Sequence, residues 1–376
     1  MIRNFIERLY PTRRQVRELL AQLEICRLVW NLLMEDHRAA RDEGLTPPSR
    51  FDQINLLAEF KILWPELGLQ DVNAQVIQNV AARVNLAMAA YFRRLRAGEE
   101  PGYPRFKEFG RYDSMTFPQA PSGCHFDDQG RLYISKVGCV KARQHRPLKG
   151  TLKTATVRCS PTGKWYVVFS CVDVPAVRLP KSSKVVGIDL GVREFASFSD
   201  GRVVHNPRHF DGDIKDLKRV QRKKERLAKG SPERSRVRRS EALIHERVAN
   251  RRKDFTDKLA KATIGLYGTV IVEDLNPGQM GRSRRERRNI RDAAWGMTVR
   301  KLVSKAEEAG NRVVVKVNPA YTSRTCSACG WVKPEELKGS VFRCGNPTCG
   351  HIEDRDTNAA KIIESVGQHA LAASAA

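Results

Sequence analysis

Apolar residues recur at helical spacing over 12–43, through Val16, Leu19, Leu20, Leu23, Cys26, Trp30 and Leu33. They do so again over 71–97, through Val76, Val80, Val84, Leu86, Tyr91 and Leu95. A stripe of this period buries one side of a helix against a neighbour. Pro11 and Thr12 mark a start, with Pro outside the first helix and Thr as its cap. The stretch between the two helices contains Pro47, Pro48 and Pro65 and reads as a linker. From about 103 to 180 the texture changes to short alternating segments such as RLYISKV (131–137), LKTATVRC (152–159) and KWYVVFSCVDV (164–174), separated by turn residues. That pattern predicts an antiparallel β-barrel or sandwich. RNFIERLY (3–10) can supply one more strand, which makes the helical unit an insertion in a β-domain. PKSSK (180–184) marks a boundary. Beyond it, strands are expected at 184–191, 194–199, 202–205, 268–274 and 311–317, with helices at 213–229, 232–263, 293–309 and 354–366.

Composition narrows the partners. The formal net charge is +25 and the pI about 10. A balance this basic points to a polyanion, and a nucleic acid is the usual one. No apolar run reaches the ~18–20 residues that a membrane span requires, and MIRNFIERLYPTRRQ (1–15) lacks the apolar core of a signal peptide. The expectation is a cytoplasmic protein with no membrane partner. The predicted helix pair at 213–263 holds 16 Lys and Arg from Lys215 to Lys253. Few acids compensate them at i±4, so a phosphate backbone alongside would relieve their repulsion.

Three carboxylates stand in three contexts. Asp189 lies in VVGIDLGV (185–192) and Glu273 in VIVEDLN (270–276), both ending apolar runs that read as buried strands. Asp356 lies in DRDTNAAKI (354–362), at the start of an amphipathic helix. Strand–Asp, strand–Glu, helix–Asp in that order is the layout of an α/β RNase H-like nuclease core, in which acids gathered at one end of a sheet hold two Mg²⁺ ions for phosphodiester cleavage. Glu273 is favoured over Asp274, which would face away and lacks its reach. Asp356 is favoured over Asp354 because it sits at the helix start ahead of the small Ala359 and Ala360. Just before it, CSACG (326–330) and CGNPTCG (344–350) place Cys326, Cys329, Cys344 and Cys349 as two pairs. In a reducing compartment this clustering predicts one structural Zn²⁺ with no open coordination position. His351 is a possible substitute for Cys349. The other five cysteines are scattered and read as small core residues or free thiols.

GIDLGV (187–192), VEDLN (272–276), NPAYTSRTCSACG (318–330) and DRDTNAA (354–360) closely resemble the TnpB family, transposon-encoded RNA-guided DNA endonucleases related to type V CRISPR effectors. AAWGMTVRKLVSKAEEAG (293–310), LYPTRRQ (9–15) and PRFK (104–107) resemble further family segments. The resemblance implies a RuvC-like nuclease domain at 181–319 and 353–376 with a zinc-ribbon insertion at 320–352. It also implies a wedge β-barrel at 1–11 and 98–180, and a helical recognition lobe at 12–97. Asp189, Glu273 and Asp356 would be catalytic. A guide RNA from the transposon end and a double-stranded target DNA are the implied partners, in a monomeric ribonucleoprotein associated with a prokaryotic nucleoid. Asn73, Gln75 and Gln78 would read base edges of a short flanking motif, as amide side chains do. Arg105 and Lys107, with Lys218, Arg219, Arg222 and Lys223, would hold nucleic-acid backbone. Arg193–Glu194–Phe195 departs from the family's more usual Lys–Asn–Leu type of run. A nuclease-inactive RNA-guided repressor and an RNase H-class transposase without a guide are the competing readings.

Overall fold

In the computed structural model, which describes residues 1–281, 283–335 and 339–375, the chain divides into two compact units, Met1–Pro175 and Ala176–Ala376. The first unit opens with strand β1 (Arg3–Tyr10). Three helices follow: α1 (Arg13–Asp42), α2 (Arg50–Leu63) and α3 (Ala74–Arg96). Then come β2 (Ser114–Phe117), a single turn α4 (Ala120–Gly123), β3 (Cys124–Phe126), β4 (Leu132–Ile134), β5 (Gly138–Arg143), β6 (Thr151–Cys159) and β7 (Trp165–Val172). The strands form one antiparallel sheet in the order β2-β6-β7-β1-β5-β4-β3. β1 therefore pairs with two strands far along the chain, β5 and β7, and the helices are an insertion between β1 and β2.

Alternation along β7 buries Trp165, Val167, Phe169 and Cys171, and Phe5 and Leu9 of β1 join them. The stripes of α1 and α3 pack onto the same core through Leu19, Leu23, Cys26, Leu33, Val76, Val80 and Val84. Thr12 caps α1 in a capping box with Gln15. The segment read as a linker contains α2, started by a second box of Ser49 and Asp52. Only Gln53 and Leu57 of α2 are buried, too sparse a pattern to stand out among flanking prolines.

The second unit carries β8 (Val185–Leu190), β9 (Glu194–Phe198), β10 (Val203–His205), α5 (Ile214–Glu225), α6 (Pro232–Leu266), β11 (Thr269–Glu273), α7 (Arg284–Ala293), α8 (Trp295–Ala309), β12 (Val313–Val317), β13 (Val341–Arg343), β14 (Ile352–Asp354) and α9 (Arg355–Ala375). Five strands run in the order β10-β9-β8-β11-β12. β8, β11 and β12 are parallel; β9 and β10 are antiparallel additions. The helix expected at 293–309 is α8; the chain turns into it at Ala294, with φ of 55°, from α7, a further helix outside the expected set. The boundary falls between Pro175 and Ala176.

Two apolar layers sandwich this sheet. Val186, Ile188, Leu190, Val270 and Val272 face one, which includes Ala260 and Ile264 of α6 and Leu302 of α8. Ile271 faces the other, with Val317 and Ile363 of α9. Because side chains alternate along a strand, positions 187, 189, 271 and 273 share the α9 face. Close approach of α9 demands Gly187: a Cβ there would lie 2.1 Å from the Ala360 carbonyl oxygen. Among the described residues, no helix is long and apolar enough to cross a membrane.

Candidate active site and metal centre

Asp189 is the fifth residue of β8 and Glu273 the last of β11. Ile188 lies opposite Val272 in the parallel register, so the two acids follow on adjacent strands, about 5 Å apart in the sheet. Asp356, 7 % exposed, is the second residue of α9. Its N–H and that of Thr357 donate to Asp354 Oδ1 at 3.0 and 3.2 Å. Asp354 thus caps the helix, and Asp356 is left to point toward the sheet's acids.

The electrostatics register the crowding. The Asp189 carboxyl is pushed up from 3.8 to about 7, first by burial, then by the negative charges of Glu273 and Asp356. Burial also raises Glu273, opposed by a hydrogen bond from the Thr322 hydroxyl. Two cations approach from the rim. Arg193 Nη2 lies 3.1 Å from Asp354 Oδ2 and 3.3 Å from Asp356 Oδ2, and Arg355 Nη2 is 3.0 Å from Asp356 Oδ1. Asp274 is exposed and pairs instead with Lys316 at 3.2 Å. Three carboxylates that converge on one face and resist sharing their charge fit a divalent cation, whose charge would remove the penalty. Asp189, Glu273 and Asp356 are the residues that would hold it.

The thiols form a separate, tighter group. All four Sγ atoms of Cys326, Cys329, Cys344 and Cys349 lie within 4.8 Å of one another. The Cys326–Cys349 and Cys329–Cys344 separations are 3.9 and 3.6 Å. Four sulfurs around one tetrahedral zinc at ~2.3 Å would stand roughly 3.8 Å apart, so the set fits zinc closely. The backbone N–H of Trp331 and then the neighbouring thiols pull Cys329 down to about 7, while desolvation first pushes Cys344 up to about 12, so without an ion the four sulfurs do not all ionise. His351 is not in the cluster; its Nε2 lies 3.2 Å from Ser327 Oγ and 3.3 Å from Glu353.

The expected nucleic-acid residues divide. Lys218, Arg219, Arg222 and Lys223 lie along α5 with their side chains largely in solvent, and Arg219 pairs with Asp216 at 3.1 Å. Arg105 is exposed; Lys107 lies over the Trp30 ring at 4.9 Å. Asn73 and Gln75 do structural work. Asn73 caps α3 by accepting from the Gln75 N–H and donates to Ser135 Oγ at 3.1 Å. Gln75 bonds Gln119 and Ser122. Both therefore tie the start of α3 to connections between strands, Asn73 to the turn after β4 and Gln75 to α4 and the residue before it. Gln78 is exposed on the same helix.

Sequence reasoning misses a polar cavity of about 120 Å³ lined by Val192, Asn206, Arg208, Arg285, Arg288 and Asp292, with Asp211 and Asn289. Asn206 fixes the turn after β8 by donating to the Val192 carbonyl at 2.7 Å, and Trp295 does the same to Gly191 at 3.1 Å. The charge of Asp292 is met by Arg252, at 2.6 Å. Arg208, Arg285 and Arg288 make no ion pair among the described residues. Their approach depends on long-range folding, and the basic run of α7 is its one local signal.

A mixed five-stranded sheet with two strand-borne acids, a helix-borne third and a four-thiol knuckle beside it defines an RNase H-like nuclease fold. Residues 169–284 match the OrfB IS605 family ("Probable transposase"), residues 295–363 the Cas12f1-like TNB domain, and residues 1–45 a helix-turn-helix domain of OrfB IS605 proteins. A "Putative RNA-guided DNA endonuclease" of Streptomyces pristinaespiralis is 31 % identical over 99 % of this chain and 90 % of its own length. InsQ of Escherichia coli K12, which carries the same description, is 29 % identical over 97 % and 92 %. The fold is similar to a chain in a cryo-EM structure of a Cas12f1–sgRNA–target DNA complex, at TM-score 0.53 and 14 % identity, covering 97 % of this chain and 98 % of that one. The chain belongs to the TnpB family.

Proposed function

We propose that this protein is an RNA-guided DNA endonuclease of a transposable element, cutting DNA beside a short flanking motif by metal-assisted phosphodiester hydrolysis. One observation carries the reading: Asp189 and Glu273 emerge from neighbouring parallel strands onto the face covered by α9, whose first turn brings Asp356 to them. Magnesium held by these oxygens would supply Lewis acidity and activate water. The chain's own residues do the rest. Asp189, between the other two acids and already reluctant to ionise, would be the carboxylate whose charge a bound cation relieves most. Arg193 and Arg355 hold Asp356 in place from the rim. The basic side of α5 follows nucleic-acid backbone, while base pairing with the guide selects sequence. The cavity lined by Arg208, Arg285 and Arg288 fits a phosphate of the strand being cut. The four thiols hold a structural zinc. Residues 1–175 supply the wedge and recognition lobe, and the exposed Gln78 is the amide left available for motif reading.

The test is cleavage of a plasmid library with randomised bases beside a fixed target, by protein co-expressed with its native flanking DNA reprogrammed to that target. Cutting that is RNase-sensitive, enriches one flanking motif and is lost in Asp189→Ala by roughly 10³-fold or more, about 4 kcal/mol of barrier, is expected. Cutting that ignores both guide and RNase would mean a conventional transposase or nonspecific nuclease. Tight RNA binding with no cutting by the wild type would mean a repressor.

A further inference from the structure

The zinc knuckle and the acid cluster are joined by two buried polar side chains that the proposed function does not use. The first is Thr322, 4 % exposed, whose Oγ1 donates to Glu273 Oε1. The hydroxyl has one proton and a second acceptor within reach, the Pro319 carbonyl at 3.0 Å; the shorter, charge-assisted contact to the carboxylate takes it. The position of Thr322 is imposed by its neighbours. Tyr321, a non-glycine residue, is held at φ of 66°, and its carbonyl accepts from the N–H groups of Arg324 and Thr325 at 2.9 and 3.0 Å. Tyr321 is 61 % exposed, so its own packing does not account for this left-handed backbone. The turn runs directly into Cys326, and strain of this kind persists only where surrounding structure over-determines it.

The second is Asn358, fully buried, two residues beyond Asp356 in α9. Its Nδ2 donates to the Thr325 carbonyl at 2.8 Å, and its Oδ1 accepts from the Ser327 N–H at 2.9 Å. The amide therefore grips the backbone on both sides of Cys326. A further thread comes from the ribbon: Arg355 N–H donates to the Ser340 carbonyl at 2.9 Å and Arg355 Nη1 to the Gly339 carbonyl at 3.1 Å. Glu273 is thus held directly by the segment that carries the first zinc ligand, and the first turn of α9, which bears Asp356, is held by it through Asn358.

We infer that the four-thiol knuckle sets the geometry of the acid cluster through Thr322 and Asn358, so that zinc at the thiols and a divalent ion at the acids bind cooperatively. This rests on reading the three acids as a metal site. Thr322 and Asn358 are positioning residues: they act through Glu273 and Asp356 and through the backbone at Cys326. Outer-sphere partners of metal-ligating carboxylates are worth roughly 10–100-fold in metal affinity.

The experiment measures Mn²⁺ binding to the purified full-length ribonucleoprotein by calorimetry, without cleavage, in wild type, Thr322→Val, Thr322→Ser and Asp189→Ala. Thr322→Val is expected to weaken Mn²⁺ by about tenfold or more while keeping its zinc and its guide RNA; Thr322→Ser, which restores the hydroxyl, is expected to recover most of that loss. Unchanged Mn²⁺ affinity in Thr322→Val, or no recovery in Thr322→Ser, overturns the inference. If wild type binds no Mn²⁺ and Asp189→Ala still cuts, the acid-site reading itself fails, which is a different result. Should Thr322→Val not fold, wild type alone decides. Coupling is reciprocal, so zinc and Mg²⁺ must tighten each other by one common factor, and equal zinc affinity with and without Mg²⁺, read against a competing chelator, overturns the inference.

Discussion

The two clusters of this unit solve opposite problems. The four thiols converge from two short loops within a segment of about two dozen residues. The three acids come from two strands and a helix spread over most of the unit, and it takes the sheet's register and the packing of α9 on it to bring them together. The thiol set is closed: four ligands at tetrahedral separations leave no vacancy for substrate. The acid set is open, crowded and unfavourable to itself, with Asp189 pushed up to about 7. With zinc bound the first cluster would stabilise the fold, while the second, without its ion, opposes it, which is the usual tension between a structural and a reactive site.

The largest expected effect breaks the stabilising side. Cys326→Ser removes the buried ligand, and structural zinc contributes roughly 10 kcal/mol or more of binding free energy in small sites. Zinc content should fall from one per chain, and the melting transition should drop by many degrees. An unaltered melting profile with zinc retained would count against a structural ion.

The next effect sharpens the opposing side. Folded Asp189 keeps its proton to about pH 7, while in the unfolded chain it titrates near 3.8. The folded state therefore binds more protons between those values, and the stability of the metal-free protein declines as pH rises from about 4 to 7. Asp189→Asn abolishes that titration. At pH 8 without divalent ions the variant should be more stable by roughly 1–4 kcal/mol, shifting the midpoint about 2–4 °C per kcal/mol. The advantage should vanish at pH 4. A variant that melts with wild type at pH 8 would show that the acids are not in conflict.

The smallest effect lies away from both clusters. Replacing Lys218, Arg222 and Lys223 by Gln should leave zinc and stability unchanged. It should flatten the salt dependence of nucleic-acid binding by about 0.7–0.9 for each phosphate no longer neutralised, with the slope of log affinity against log salt as the measure. An unchanged slope would remove this side of α5 from the interface.

How much of this is legible in the chain follows the same contrast. The cysteine pairs and the amphipathic stripes of α1 and α3 are local patterns, and local patterns carry over directly into structure. The alternation of β7, the apolar runs of β8 and β11 and the order of the acids along the chain are equally plain. Helices α2 and α7 are not. Both begin with capping boxes, Ser49–Asp52 and Ser283–Glu286, but each buries few side chains, so neither shows a stripe. Asn73 and Gln75, polar residues at the start of a helix, suggest a face turned to a ligand; what the chain does not announce is that they also fasten that helix to the connections after β4 and around α4. Thr322 lies in the run NPAYTSRTCSACG, but no local pattern marks its role: its hydrogen bond to Glu273 spans 49 positions and depends on a left-handed Tyr321.

Gly187 lets α9 lie against β8, and α9 follows the other elements of its unit in the chain. A ribosome therefore delivers the molecule's parts in a fixed order. The basic helices α5 and α6 emerge between the first acid and the second, and Asp356 comes only after the ribbon has been made. If α5 and α6 hold nucleic-acid backbone as proposed, the means of capture is made before the means of cutting is complete.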